Sequence, residues 1–345
     1  AAAEAYPARR QPPGGQPPEL CVRSDRSAGN KSARHPLERL PRPRLADRAE
    51  DEWSRAEAAI TGIQPTVAPL ETLFADWGDA GAHKLLCMGE KSQIDEMLPV
   101  LEAKHMSMTL VRSKDEYLEV IPAGAGKDTA MHVLCEALDI TPDEVMALGD
   151  HDIDAPLLRA AGLGIAMGNA SPIARAAADE VTDSCDADGA AHAIYRHIGG
   201  GTVMKYRLLA LDLDGTLLNS HKEVTPEVKQ ALRWAKERGV HVVLSTGRIV
   251  GEAAEFAREL PCEDLMVTAG GTAIATASDE RILQSWDMPC ESVQRWSRRC
   301  RATGARDDST SAANLHQRIL QPRFCRKLPR GGLSREQNRR GGHRR

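Results

Sequence analysis

Aromatic residues are scarce in this 345-residue chain, at 3%, and no apolar run reaches the length of about 18 residues that a membrane-spanning helix needs. None of the eight cysteines forms a CxxC pair, so the sequence predicts neither a disulfide framework nor a zinc site. The net charge of −4 gives no overall attraction to nucleic acid or membranes. The amino end lacks the apolar core typical of a secretory signal. We therefore expect a soluble, cytoplasmic protein without a membrane partner, and no particular oligomeric state follows.

Both ends of the chain differ in composition from its middle. Residues 1–44 are rich in proline and arginine, and residues 301–345 are rich in arginine. Neither segment has the periodic apolar residues that would bury enough surface to offset the entropy of ordering a chain. We therefore predict that both are disordered. The basic segment 301–345 could attract RNA or DNA, but no nucleic-acid motif supports that function, and we do not expect a nucleic acid partner.

The middle of the chain alternates short apolar strands with amphipathic helices. The predicted strands include EVMALGD, GLGIAMG, LLALDLD, VHVVLST and DLMVTAG, with helices between them. This alternation is typical of a parallel sheet covered on both faces, the doubly wound α/β class. Ligands of such sheets bind beyond the carboxyl ends of the strands. The side chains that suggest chemistry in this sequence lie at those ends.

Two carboxylates, Asp212 and Asp214, directly follow the apolar run LLAL and precede a Gly-Thr turn. Alternate side chains of a strand point the same way, so both can share one site. Transfer of a phosphoryl group needs a nucleophile, a proton shuttle and a cation. We predict that Asp212 attacks phosphorus, and that Asp214 protonates the leaving oxygen and then activates water. Gly215 would permit the tight turn that follows.

The segment DLDGT resembles the first motif of the haloacid dehalogenase superfamily, whose first Asp is the nucleophile and whose second is the acid/base. The segment STGR (245–248) is similar to the second motif, and Arg248 matches an Arg of the sugar-phosphatase-like branch. The resemblance assigns Leu213, Thr246 and Gly247 to binding of the phosphoryl group. Lys127 resembles the lysine of the third motif, and the resemblance implies that it binds the same phosphate.

The segment GDHDID (149–154) resembles the fourth motif, whose acids hold Mg²⁺. The resemblance implies a magnesium site formed by Asp150, Asp154, Asp212 and Asp214. Ile153 stands where the family has Asn, which removes an expected polar contact near the phosphate.

The resemblance gives no role to three polar residues in or near the fourth motif. We interpret Asn169 as a turn former and His151 as a solvent-facing loop residue, and Asp152 could partly replace the polar group that Ile153 lacks.

The resemblance is to the Cof-type, subclass IIB sugar-phosphatase-like hydrolases. It implies a three-layer Rossmann-like core with an α/β cap. In this chain the third and fourth motifs precede the first and second, so the cap would be split and incomplete. The predicted order is the C-terminal part of the cap (45–122), core with motifs three and four (123–198), a linker (199–203), core with motifs one and two (204–275), and the start of the cap (276–300).

The resemblance implies a Mg²⁺-dependent phosphatase that hydrolyses small phosphate monoesters, such as sugar phosphates, through an aspartyl-phosphate intermediate. Two alternatives stay open. One is a non-catalytic fusion of two half-domains, which Ile153 and the split cap favour, and the other is a phosphomutase with the same chemistry. If the two halves form one site, the carboxylates of Asp212 and Asp150 should lie within about 5 Å of each other, close enough to share one Mg²⁺.

Overall fold

The computed structural model describes residues 82–102, 108–199, 205–289 and 291–295, positions 55 and 59, and strands at 45–47, 65–67 and 316–320. The strands are β1 (Leu45–Asp47), β2 (Pro65–Val67), β3 (Lys84–Met88), β4 (Met108–Lys114), β5 (Tyr117–Pro122), β6 (Val145–Gly149), β7 (Leu163–Ala166), β8 (Glu180–Val181), β9 (Leu208–Leu211), β10 (His241–Ser245), β11 (Leu265–Thr268), β12 (Ala273–Thr276), β13 (Ile282–Ser285) and β14 (His316–Leu320). The α-helices are α1 (Lys91–Glu102), α2 (Lys127–Leu138), α3 (Ala155–Ala160), α4 (Pro172–Ala177), α5 (Gly189–Ile198), α6 (Pro226–Glu237) and α7 (Val250–Glu259). Over the described part of the chain, these helices are too short or too polar to cross a bilayer.

The larger sheet has eight strands in the order β13-β12-β11-β10-β9-β6-β7-β8. From β11 to β8 all neighbouring strands are parallel. Strands β6, β9 and β11 are buried along their whole length, as expected for a parallel sheet covered on both faces. The predicted doubly wound α/β core is therefore confirmed.

The two halves of the chain meet in the middle of this sheet. Strand β6 lies beside β9, with register pairs from Val145–Leu208 to Leu148–Leu211. The helices meet as well, because the rings of Tyr195 on α5 and Trp234 on α6 pack edge to face with centroids 5.2 Å apart. The residues before and after the 199–203 segment thus share one sheet and one core.

The far edge of the larger sheet differs from the sequence-based expectation. Strands β12 and β13 extend it in antiparallel fashion beyond β11. Strand β13 falls inside residues 276–300, which the resemblance assigned to the start of the cap. Only five residues separate β12 from β13, and such a short connection favours an antiparallel hairpin between neighbouring strands.

The smaller sheet has six strands in the order β2-β1-β14-β3-β5-β4. Helix α1 contributes Ile94, Met97 and Leu101 to an apolar cluster with side chains of β3 and β5. Strand β14 pairs antiparallel with β3 and lies inside the segment 301–345, so the structure differs there from the prediction of an unstructured tail. The rest of that segment and residues 1–44 lie outside the described residues.

Candidate active site

Three carboxylates converge at the carboxyl ends of β6 and β9. Asp150 follows β6, Asp212 follows β9, and Asp154 lies on a one-turn helix after Asp150. One oxygen from each lies within 4.8 Å of the others, and all three residues are buried. The expected approach of Asp212 and Asp150 to within about 5 Å is confirmed. It follows from the strand register, because neighbouring parallel strands end at the same edge of the sheet.

A single lysine lies between two of these carboxylates. Lys127 begins α2 and is completely buried. Its Nζ donates to Asp154 Oδ1 at 2.5 Å and to Asp212 Oδ1 at 2.6 Å. The lysine, from one half of the chain, therefore contacts the predicted nucleophile, from the other half.

Asp154 holds this arrangement in place. Its Oδ2 accepts hydrogen bonds from the backbone N–H groups of Asp150 and His151, at 3.0 and 2.9 Å. Its Oδ1 accepts from Lys127. Because both oxygens already accept hydrogen bonds, Asp154 orients the Asp150 loop and the lysine at the same time.

Asp150 has partners that the sequence did not reveal. His151 Nδ1 lies 2.8 Å from Asp150 Oδ2, although half of the histidine side chain is exposed. Asn169 Nδ2 donates to the same oxygen at 3.3 Å and to the Gly215 carbonyl at 2.8 Å. Asn169 follows β7, and Asp150 follows β6, the parallel neighbour of β7. Because these two strands end at the same edge of the sheet, the approach of Asn169 to Asp150 could have been predicted from the sequence.

Gly215 makes the close approach of the two loops possible. Its φ of +82° lies in the left-handed region, and a Cβ there would sit 2.2 Å from Asp150 Oδ2. The neighbouring Thr216 Oγ1 donates to Asp150 Oδ1 at 3.2 Å. The turn after β9 thus fits directly against the loop that carries Asp150.

The side chain of Asp214 contacts two cations. Arg248 donates two hydrogen bonds to the Asp214 carboxylate, from Nε to Oδ2 at 2.7 Å and from Nη2 to Oδ1 at 2.9 Å. Lys222 Nζ lies 3.0 Å from Oδ1. Burial acts to raise the pKa of Asp214, but the hydrogen bonds and charges of Arg248 and Lys222 outweigh it and hold the pKa well below its usual range.

The residues assigned to the phosphoryl group line the same edge. Thr246 is buried at the end of β10, and its Oγ1 accepts the N–H of Arg248 at 3.1 Å. A Cβ built on Gly247 would meet open space. Leu213 is fully buried in the apolar core, so its side chain is not available to a ligand.

Ile153 lies beside the cluster with 9% of its surface exposed. Its neighbour Asp152 accepts a hydrogen bond from Ser171 Oγ at 2.5 Å.

The cluster carries more negative than positive charge. Burial raises the pKa of Asp212 well above its usual range, and the charges of Asp154 and Asp150 add to this against Lys127. Burial likewise raises the pKa of Asp150. Burial disfavours the Lys127 ammonium, but Asp154 and Asp212 outweigh that effect and raise its pKa. The hydrogen bond that His151 donates to Asp150 raises the pKa of His151 to about 9.

The donor set fits a hard divalent cation. Three buried carboxylates against Lys127 and His151 leave surplus negative charge, and carboxylate oxygens are the ligands that Mg²⁺ prefers.

Comparison with known proteins agrees with this site. The family model for haloacid dehalogenase-like hydrolases matches residues 67–194 and 209–306. The chain belongs to this family. The 5-amino-6-(5-phospho-D-ribitylamino)uracil phosphatase YwtE of Bacillus subtilis is 29% identical over 160 residues, which are 45% of this chain and 54% of that protein.

Solved structures of the family are also similar over part of the chain. A haloacid dehalogenase-like hydrolase from B. subtilis shares 29% identity, covering 41% of this chain and 50% of its own, with a TM-score of 0.37. A subclass IIB sugar phosphatase shares 27% identity, covering 34% of this chain and 43% of its own, with a TM-score of 0.29. The chain spans about half or less of the length of the curated relatives it matches.

Proposed function

We propose that this protein is a Mg²⁺-dependent phosphatase that hydrolyses small phosphate monoesters through an aspartyl-phosphate intermediate. The observation that carries the proposal is the buried group of Asp150, Asp154 and Asp212 around Lys127. This combination of a nucleophile, a cation and a metal-binding carboxylate set is what phosphoryl transfer requires. The phosphatase named among the relatives supports the same reaction class.

In the first step, an oxygen of Asp212 attacks phosphorus and the bond from phosphorus to the ester oxygen breaks. Asp214 gives a proton to that leaving oxygen, so an alcohol departs. In the second step, Asp214 takes a proton from water, which attacks the aspartyl-phosphate. Inorganic phosphate leaves and the Asp212 carboxylate is restored.

Lys127 keeps Asp212 in place and offsets charge on the phosphoryl group. Thr246, Gly247 and the main chain of Leu213 provide the remaining phosphate contacts. Asp150 and Asp212 would hold Mg²⁺, with Asp154 behind them, and the bound ion would supply charge neutralisation at the phosphoryl oxygens. The Asp214 side chain is held by Arg248, so the earlier assignment of Asp214 to the metal site would apply through its main chain.

Arg248 also controls the protonation of Asp214. While Arg248 contacts Asp214, the pKa of that carboxyl is too low for it to carry a proton. A phosphate bound beside Thr246 would compete for the guanidinium, and the pKa of Asp214 would then rise toward the range that a general acid needs. Substrate binding thereby prepares the acid.

The test is hydrolysis of an aryl phosphate by the purified chain with Mg²⁺ or with EDTA. We expect activity that requires Mg²⁺ and that Asp212→Asn abolishes, because the amide keeps the shape but forms no acyl phosphate. Asp214→Asn should slow turnover by about 10²–10⁴. The exposed Asp143→Asn serves as the matched control. Equal rates in the parent and Asp212→Asn would refute the nucleophile assignment.

A second candidate is binding of Mg²⁺ and phosphate without turnover, which the apolar Ile153 beside the cluster favours. Under this alternative the parent is inert and still binds Mg²⁺, and Ile153→Asn gains activity. In an active parent, Ile153→Asn should raise the rate because it restores a polar partner near the phosphate.

A further inference from the structure

The smaller sheet carries a buried pair of opposite charges on the face that lies away from α1. The apolar side chains that alternate along β3 and β5 pack against α1 on one face. Lys84 and Glu119 occupy the alternate positions of these strands, so they lie on the other face. Both are only 6% exposed. Lys84 Nζ lies 3.1 Å from Glu119 Oε2, so each buried charge has its partner.

Lys84 also contacts the loop that follows β10. Its Nζ donates a hydrogen bond to the carbonyl oxygen of Gly247 at 3.0 Å. Gly247 belongs to the loop assigned to the phosphoryl group, whereas Lys84 belongs to the smaller sheet. This one hydrogen bond therefore joins the smaller sheet to the candidate active site.

The main-chain groups on either side of Gly247 are bonded within the larger sheet. The Thr246 carbonyl accepts from the N–H of Gly270 at 3.0 Å. The Arg248 carbonyl accepts from the N–H of Ala269 at 2.7 Å, and the Arg248 N–H donates to Thr246 Oγ1. Among the described residues, none accepts a hydrogen bond from the Gly247 N–H. That N–H is therefore available to a phosphoryl oxygen.

Lys84 holds the peptide group that follows this available donor. The peptide between Gly247 and Arg248 is bonded at both ends, through its N–H to Thr246 and through its carbonyl to Lys84. Glycine restricts its own φ and ψ less than any other residue, so the path of the chain through Gly247 depends on such bonds. Without Lys84, this peptide would be free to rotate, and the Gly247 N–H would lose its fixed direction.

The pair acts on the loop through position and not through net charge. Glu119 compensates the charge of Lys84, so the two together add little to the charge balance of the three carboxylates. Glu119 also fixes the Lys84 ammonium from the side of the smaller sheet. A fixed donor at the Gly247 carbonyl keeps the loop in one arrangement before a phosphate arrives, which lowers the cost of binding it.

We infer that Lys84, fixed by Glu119, is a positioning residue for phosphoryl transfer, because it holds the Gly247 loop in the arrangement that binds the phosphoryl group. The inference rests on the proposed phosphatase function. Lys84 itself acts only through the Gly247 peptide.

The test measures hydrolysis of an aryl phosphate by the purified full chain and, by calorimetry, its binding of inorganic phosphate in saturating Mg²⁺. Lys84→Met should lower kcat/KM and weaken phosphate binding, each by about 10–100-fold, because a misplacement of about 1 Å can cost about 10²-fold. The Kd for Mg²⁺ should stay unchanged, since the hydrogen bond and the ion pair of Lys84 are to Gly247 and Glu119. Lys91→Met, which removes an exposed lysine of α1, should leave all three values unchanged.

A second variant protects the test against misfolding. Lys84→Met leaves the Glu119 carboxylate buried without its cation. Lys84→Met combined with Glu119→Leu removes both charges, which proteins tolerate better than the loss of one. This double variant should show the same losses of kcat/KM and of phosphate affinity as Lys84→Met.

The outcomes separate the inference from the proposed function. Parent values of kcat/KM and of the phosphate Kd in the double variant overturn the inference while the phosphatase function stands. A fall in kcat alone, with KM and the phosphate Kd unchanged, indicates a smaller folded fraction and also overturns it. A parent that binds phosphate but hydrolyses no ester overturns the proposed function, and the phosphate Kd of the double variant then decides the inference. A parent that does neither overturns both.

Discussion

Replacement of Lys127 by methionine tests how much the buried lysine stabilises the carboxylates of the site. Lys127 is completely buried and donates to Asp154 and Asp212 at 2.5 and 2.6 Å. Methionine has a similar length and no charge, so the change would remove the cation and leave the packing nearly intact. Two buried carboxylates would then lack the partner that stabilises their charge.

Loss of one partner from a buried ion pair costs about 3–5 kcal/mol. Lys127 has two partners, and their side chains are 0% and 8% exposed, so solvent replaces little of what is lost. We therefore expect Lys127→Met to lower the free energy of unfolding by about 4–5 kcal/mol at neutral pH. A domain has about 5–15 kcal/mol in total, so the variant should remain mostly folded.

The assay is urea denaturation in EDTA, with the slope of free energy against urea compared between variants. Lys91→Met, which removes an exposed i,i+4 pair with Asp95, is the control and should leave the free energy of unfolding nearly unchanged. Lys127→Met combined with Asp154→Asn should recover part of the loss. Saturating Mg²⁺ should recover part as well, since a ligand at about 100 times its Kd adds about 2.7 kcal/mol.

The pH dependence has a definite sign. Without the lysine, the folded-state pKa of Asp212 rises further above the unfolded value of about 3.9. A raised carboxyl pKa destabilises the folded state above the unfolded pKa, and this effect is relieved as the pH falls. The loss in Lys127→Met should therefore shrink toward acid pH. A loss below about 0.5 kcal/mol at pH 7, or one that grows in acid, would refute the charge balance described here.

Three further predictions concern the turn after β9, the metal site and a helix cap. Gly215→Ala should weaken Mg²⁺ binding by about 10–100-fold, because the new Cβ would displace the Asp150 side chain. Gly239→Ala is the control, since Gly239 also has a positive φ (+83°) but a Cβ there would meet open space. Equal Mg²⁺ affinity in the two variants would contradict the close approach of Gly215 to Asp150. Mg²⁺ affinity measured by calorimetry should rise from acid to neutral pH, because the raised pKa values of Asp150 and Asp212 let protons compete with the ion in acid. A flat profile would count against these ligands. Thr225→Ala should cost about 1 kcal/mol in urea denaturation, because Thr225 Oγ1 caps α6, and Thr225→Ser should restore it; a loss that serine does not restore would point to another cause.

Much of the core could be predicted from the sequence because its determinants are local. Apolar runs of four to five residues that end in Asp, Ser or Gly correspond to β6, β9 and β10. Thr225 and Pro226 are an N-cap and a first helical residue of the kinds that favour a helix start, and α6 begins there. The approach of Asp150 to Asp212 also followed, because it needs only two neighbouring parallel strands.

Other features depended on contacts between distant parts of the chain. The sequence placed Asp214 beside Asp212 by strand alternation, but it did not reveal that Arg248 and Lys222 contact the Asp214 side chain. The sequence likewise did not reveal the contacts that His151 and Asn169 make with Asp150.

The sequence by itself determined the alternation of strands and helices, and with it the edge at which the acids gather. Tertiary structure alone decided which charges meet. The pairing of β6 with β9 brings Lys127 from one half onto Asp212 of the other, and the smaller sheet lays Lys84 on the Gly247 carbonyl. Hydrophobic periodicity can be read from the order of residues along the chain. The ion pair across 85 positions and the lysine–carbonyl hydrogen bond across 163 positions depend instead on the register of the assembled sheets.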